Sequence, residues 1–203
     1  HVRSGTFDYV MNLIFPVVFH TMNSLVFRRS LIGRLAGFDL QFKEAADIDW
    51  QIRALPGTNV LFLPNKLASF RRYSGQSTNL TSAKQVLANN LAVRLAAVER
   101  LGSLLAEILP DEQKGASARE SLKEWILSKY RHTLWSESFR RLSRLKFDNE
   151  TIDLIGAAHQ ESTVAAFEYI GERILAGRRR RLSFARNMIE QLDLCWPPSP
   201  LCQ

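Results

Sequence analysis

Two carboxylates, Asp47 and Asp49, stand at the entrance of a short amphipathic stretch, and Asp39 precedes them in a Gly-Phe-Asp triplet. Further on the chain reads Phe70-Arg71-Arg72-Tyr73-Ser74-Gly75-Gln76-Ser77. A carboxylate near a helix N-terminus is held ionised by the unpaired amides and the dipole of the first turn. It stays basic enough to take a proton that becomes acidic in a transition state. Paired guanidiniums are planar donor forks that suit an anionic leaving group. The combination fits a site that removes a proton and stabilises an anionic leaving group. Trp50, next to the acids, has a flat face for stacking on a ligand or for packing a helix on a sheet.

These residues need elements to carry them. Ile48, Ile52 and Leu55 recur at helical spacing, so a helix is expected over residues 47–55, ended by Pro56-Gly57. Asn23 to Phe27 reads as a strand, Ser30 as the cap of a helix to about Leu35, and residues 38–43 as a loop. Val60 to Leu63 reads as a strand buried on both faces, and residues 66–73 as its neighbour. Residues 1–9 are polar and are expected to lack tight structure. Met11 to Phe19 is broken by Pro16. From Ser82 the pattern turns helical. Leu87, Leu91, Leu95, Val98 and Leu101 form one stripe, and Leu122, Ile126, Tyr130 and Trp135 form a second. Shorter helices are expected at 152–158, from Val164 to Gly177, and over 182–192. The fold class expected is α/β for residues 1–81 followed by an all-α helical bundle for residues 82–203.

The order of these pieces resembles the C-terminal half of the catalytic domain in family 2 glycosyltransferases, which have the GT-A fold. The residues carrying the likeness are Phe27-Arg28-Arg29-Ser30, Ala36-Gly37-Phe38-Asp39, Ala46-Asp47-Ile48-Asp49-Trp50-Gln51-Ile52-Arg53 and Phe70 to Ser77. The likeness covers residues 20–80 and not the tail. It implies that Asp47 is the general base of an inverting sugar transfer. It also implies that Asp49 and Trp50 flank the acceptor, and that Arg71, Arg72 and Tyr73 line the donor phosphates. An isolated Asp at a helix start is more often a plain cap; the four motifs in series argue for the catalytic role. Two positions depart from the family pattern. Ala46 stands where a Glu is usual, with Glu44 as a substitute, and Tyr73 stands where a His is usual.

Asp47-Ile48-Asp49 has the letters of the Asp-x-Asp metal motif, but that motif ends an apolar strand and here a helix follows. Divalent Mn or Mg is therefore expected for the full-length protein, with ligands outside this chain. The sequence starts at His1 without a Met, and residues upstream are expected, including the nucleotide-binding half.

The 203 residues carry a net charge of +7, which points to anionic partners. A nucleotide-sugar donor and a saccharide or lipid-linked acceptor are expected. Arg178, Arg179, Arg180 and Arg181, flanked by Arg173 and Arg186, offer a solvated face or a contact to anionic lipid. Nucleic acid is not expected, because no base-stacking aromatic pattern accompanies that run. His132 and His159 stand alone, and Cys195 and Cys202 sit in the tail, so a reducing compartment is expected. No signal peptide is read, and the apolar stretch from Val10 to Phe27 is too interrupted to span a bilayer. A cytoplasmic location is expected, peripheral at the inner membrane face through the arginine run. The reading from another class is a non-catalytic helical interaction or membrane-docking module on a transferase remnant.

Overall fold

The computed structural model describes residues 2–15, 22–63, 65, 68–69, 71, 81–108, 111–144, 146–162 and 177–192. Those residues are mostly helical, with one two-stranded sheet. The all-α component is present; among the described residues no further strand accompanies it. The strands, β1 (Val2–Ser4) and β2 (Asn59–Leu61), run antiparallel with Val2 opposite Leu61 and Ser4 opposite Asn59. Helix α1 (Gly5–Ile14) follows β1 directly.

The amino end is therefore ordered. Phe7, Val10, Leu13 and Ile14 form one buried stripe, which carries the helix back to Gly5. Gly5 is needed where it stands. Its N–H donates to Thr58 O at 2.8 Å, and a Cβ there would run into the Leu55 carbonyl oxygen. Phe15, in extended conformation, ends α1. Pro16 follows it in sequence, and a residue before proline is pushed out of the helical region.

Residues 22–24 form a 3₁₀ turn, not a strand. The Asn23 side chain donates to Ser69 O at 3.0 Å, and Val26 is fully exposed. Helix α2 (Arg29–Leu35) starts at an extended Arg28 instead of a Ser30 cap. It ends on Ala36 (φ 53°) and Gly37 (φ 82°), both left-handed. A 3₁₀ segment, Leu40–Ala45, occupies the expected loop. Asp39 caps it by accepting from the Gln41 N–H at 3.1 Å. Helix α3 (Ala46–Ala54) follows, close to its expected bounds, and gives way at Leu55, Pro56 and Gly57 (φ 67°). The strand after it is not buried on both faces: Leu61 and Leu63 are exposed. Among the described residues its one strand partner is β1. Of residues 66–73, the described positions 68, 69 and 71 are not in a strand, and the rest lie outside the described residues.

The remaining helices are α4 (Ala83–Ile108), α5 (Glu112–Leu142), α6 (Asn149–Glu161) and α7 (Gly177–Gln191). Gly177 thus begins a helix where an end was expected. The helix expected from Val164 lies outside the described residues. Asp111 caps α5 by accepting from the N–H groups of Gln113 and Lys114, and Asp148 caps α6 by accepting from Thr151 N–H. The α4–α5 contact is the most extensive between elements. In α4 the buried hydrophobic residues are Val93, Ala97, Val98 and Leu101, with Asn89 and Arg94 also buried, while Leu87, Leu91 and Leu95 are only half-buried, so the stripe is rotated from the one expected.

The main core joins both halves of the sequence. Tyr9, Val10 and Leu13 of α1 and Ile52 of α3 pack with Val93 and Leu101 of α4, Leu122 and Ile126 of α5, and Met188 of α7. Two hydrogen bonds tie α1 into the bundle: Tyr9 OH donates to Ala97 O at 2.6 Å, and Trp125 Nε1 donates to Ile14 O at 3.3 Å. Trp125 also stacks on Phe184 of α7 with ring centroids 4.0 Å apart. Among the described residues no helix is long and apolar enough to cross a membrane.

Candidate functional site

The acids between residues 39 and 49 differ in how they are used. Asp39 accepts from Gln41 through both oxygens, from the backbone N–H and from Nε2. Glu44 accepts from Thr81 Oγ1 at 3.1 Å and from Asn89 Nδ2 at 2.7 Å. Its backbone amide, helped by those donors, holds its carboxyl below the ordinary range. Asp49 has no exposed surface. Its Oδ2 accepts from Arg53 Nε at 2.7 Å and its Oδ1 from Arg100 Nη2 at 2.8 Å. Asp47, on the first turn of α3, is half-buried. Its one hydrogen bond is local, from Ile48 N–H to Oδ1 at 2.8 Å, and Oδ2 is left over.

Helix geometry explains the split. Residues two apart are turned by about 200°, so Asp47 and Asp49 project from opposite faces of α3. One faces outward and the other faces the bundle. The pair cannot grip a single ion between them, so the Asp-x-Asp letters do not fit a metal site. Among the described residues no group of three His, Cys, Asp or Glu side chains is placed to hold a metal.

Arg53 is the structural hinge of this region. Besides Asp49, it donates from Nη1 to Leu35 O at 2.6 Å and from Nη2 to Gly37 O at 2.7 Å. One guanidinium thereby fixes α3 against the left-handed turn that carries Phe38 and Asp39. Arg100 adds α4 to the same carboxylate. The spacing of Asp49 and Arg53, four apart on a helix, is a readable ion-pair signal. Arg100 is 51 residues from Asp49 and leaves no local signal.

Trp50, expected beside an acceptor, is only 4% exposed. Its ring lies 4.7 Å from that of Phe27 and 6.2 Å from that of Phe38, so it packs the stretch before α2 onto α3. Arg71 is exposed. Arg72 and Tyr73 lie outside the described residues, as do Cys195 and Cys202. Arg178 to Arg181 fall within α7, but their side chains are outside the description. His132 is buried in α5, and His159 is exposed on α6.

Four residues before Asp47, Lys43 has φ 48° and ψ −120°, a conformation that side chains with a Cβ rarely adopt. Backbone strain of this kind persists only where its surroundings impose it, and it gathers at functional sites. Here it sits in the turn that delivers Asp47 to the start of α3.

Comparison with protein-family models, with curated proteins and with solved structures returns no match.

Proposed function

We propose that this chain carries the acceptor-side part of an inverting glycosyltransferase that moves a sugar from a nucleotide-sugar donor to a glycan or lipid-linked acceptor. The observation that carries the reading is the state of Asp47. Of the four acids between residues 39 and 49, it alone keeps a carboxylate oxygen without an internal partner. The motif series around it supplies the reaction class.

In the reaction, the Asp47 carboxylate accepts the proton of the acceptor hydroxyl. That oxygen forms a bond to the anomeric carbon while the bond from carbon to the donor's diphosphate oxygen breaks. The bonding pair leaves with the diphosphate, and the anomeric configuration inverts. General-base help of this kind contributes about 10² to 10⁴ in rate. Arg71, Arg72 and Tyr73 are proposed to stand at the leaving diphosphate, where guanidinium forks offset the developing charge. Asp49 and Trp50 serve this reading through packing and ion pairing, not through contact with the acceptor. Mn or Mg, in the full-length protein, would supply charge neutralisation at the diphosphate, and no residue in this stretch is assigned to it. A location at the cytoplasmic membrane face, through Arg178 to Arg181, belongs to the same proposal.

The test is the stereochemistry of the product. The full-length protein is incubated with UDP-, GDP- and dTDP-linked sugars and with oligosaccharide and polyprenyl-phosphate acceptors. The anomeric proton of the first-formed product is then read by NMR. Inversion relative to the donor supports the reading. Retention, or neither transfer nor donor hydrolysis with every donor, contradicts it and leaves the helical interaction module as the better account.

A further inference from the structure

Phe38 is an aromatic ring that the fold holds in place and leaves uncovered. It is 53% exposed, whereas Trp50 beside it is buried. The two rings meet at a steep angle with centroids 6.2 Å apart, so the contact takes up only part of Phe38. The backbone around it is fixed on both sides. Ala36 and Gly37, just before it, are left-handed, a conformation that a residue with a Cβ seldom takes. The Arg53 guanidinium grips the carbonyls of Leu35 and Gly37, and the Asp39 side chain caps the segment that follows. Single exposed apolar residues are normal on a protein surface. A ring pinned in this way, with Leu40 also open two residues on, is different: seating a ligand on it orders little that was free.

Trp50 connects this surface to Asp47. Residues three apart on a helix are neighbours, with Cβ atoms about 5 to 6 Å apart, so Asp47 and Trp50 share a side of α3 while Asp49 turns to the bundle. Asp47 keeps one oxygen beyond its local hydrogen bond. Gly37, next to Phe38, is bound by Arg53, six residues and about 9 Å along the axis from Asp47. An open carboxylate oxygen and an open aromatic ring therefore lie along one flank of the helix.

We propose that Phe38 seats the sugar next to the reacting one, so that the acceptor is an oligosaccharide and not a single sugar. This rests on the transferase reading and narrows its acceptor. A hydroxyl that gives up its proton stands about 2.6 to 3.2 Å from the carboxylate, which places the reacting ring at Asp47 and its neighbour further along α3. A pyranose has a face of weakly positive C–H groups, and the face of a phenyl ring is negative as well as apolar. A polyprenyl chain asks only for apolar area, which a leucine also supplies.

The experiment measures transfer by the full-length protein from UDP-, GDP- and dTDP-linked sugars to methyl glycosides of glucose, galactose, mannose and N-acetylglucosamine, and to disaccharides of the same sugars. Donor hydrolysis is followed alongside. Wild type uses a disaccharide with a kcat/KM roughly tenfold above that of the matching monosaccharide, because the second ring removes apolar surface from water. Phe38→Leu keeps apolar packing against Trp50 but has no flat face, and it brings the two acceptors within about twofold at an unchanged unfolding midpoint. Phe38→Tyr keeps the preference. The proposal is overturned by equal use of the two acceptors in wild type, by a preference that Phe38→Leu retains in full or Phe38→Tyr loses, or by donor hydrolysis without transfer to any of these saccharides. Each of those results leaves the transferase reading standing. Neither transfer nor donor hydrolysis ends that reading, and this inference with it.

Discussion

Replacing Asp49 by Asn removes one charge and leaves almost the same volume, so what is lost is the ionic centre beneath Arg53 and Arg100. Breaking a buried pair from one side is destabilising by about 3 to 5 kcal/mol, because the remaining charges stay uncompensated. Here the two cations keep some access to water, with side chains 20% and 35% exposed, and can rehydrate in part. The expected loss is therefore about 3 kcal/mol, at the lower end of that range. Against a total stability of about 5 to 15 kcal/mol this is a large share. In urea, with a slope of about 2 kcal/mol per M, the unfolding midpoint falls by about 1.5 M. Asp47→Asn is the internal control. Its carboxylate has only a local hydrogen bond, so its stability stays within about 0.5 kcal/mol of wild type. In Asp49→Asn/Arg100→Gln, losses smaller than the sum of the single changes report the coupling directly. If Asp49→Asn shifts the midpoint no more than Asp47→Asn does, the buried centre is not what joins α3 to α4, and the argument is refuted.

Three further outcomes are expected. Gly5→Ala forces a Cβ against the backbone of Leu55 and Thr58, and should destabilise by about 2 to 3 kcal/mol in denaturant unfolding; an unchanged midpoint would show that the β1–α1 junction adjusts freely. Lys43→Gly relieves a positive φ and should raise stability by about 1 kcal/mol, and a loss would show that the Lys43 side chain does more than tolerate the turn. Asp8 concerns pH. Burial, opposed by Arg3, pushes its carboxyl up from 3.8 to about 6. Arg3 Nη2 lies 2.8 Å from Oδ1, and this pairing offsets part of the cost of burial. The folded state therefore holds this proton more tightly than the unfolded chain does. The contribution is fully present below pH 4 and is lost as pH rises to 6, by at most about 3 kcal/mol. Subtracting the Asp8→Asn stability profile from that of wild type isolates it; a difference that grows with pH over this window contradicts the sign.

Much of the chain's local order was legible because it rests on short-range rules. Ile48, Ile52 and Leu55, with Pro56-Gly57 behind them, define α3 nearly to the residue. The change in pattern at Ser82 marks the start of α4. What escaped depends on partners distant in sequence. The pairing of Val2–Ser4 with Asn59–Leu61 involves three residues a side, too few for an alternating pattern to show. The apolar run after α3 has the composition of a strand buried on both faces, yet among the described residues it has one strand partner, and Leu61 and Leu63 are exposed. At the site, the types of Asp47 and Asp49 were readable but their division of labour was not. Arg100 comes from another helix and decides that Asp49 is internal. Phe27 and Phe38 decide the same for Trp50.

The central claim is that Asp47 is the working base. It is tested most directly by measuring sugar transfer in the full-length protein with Asp47→Asn, beside wild type, with unfolding and nucleotide binding followed on the same samples. The expected result is a fall in transfer of about 10² to 10⁴, with the unfolding midpoint and nucleotide affinity unchanged. Transfer at the wild-type rate contradicts the claim and removes Asp47 from the chemistry.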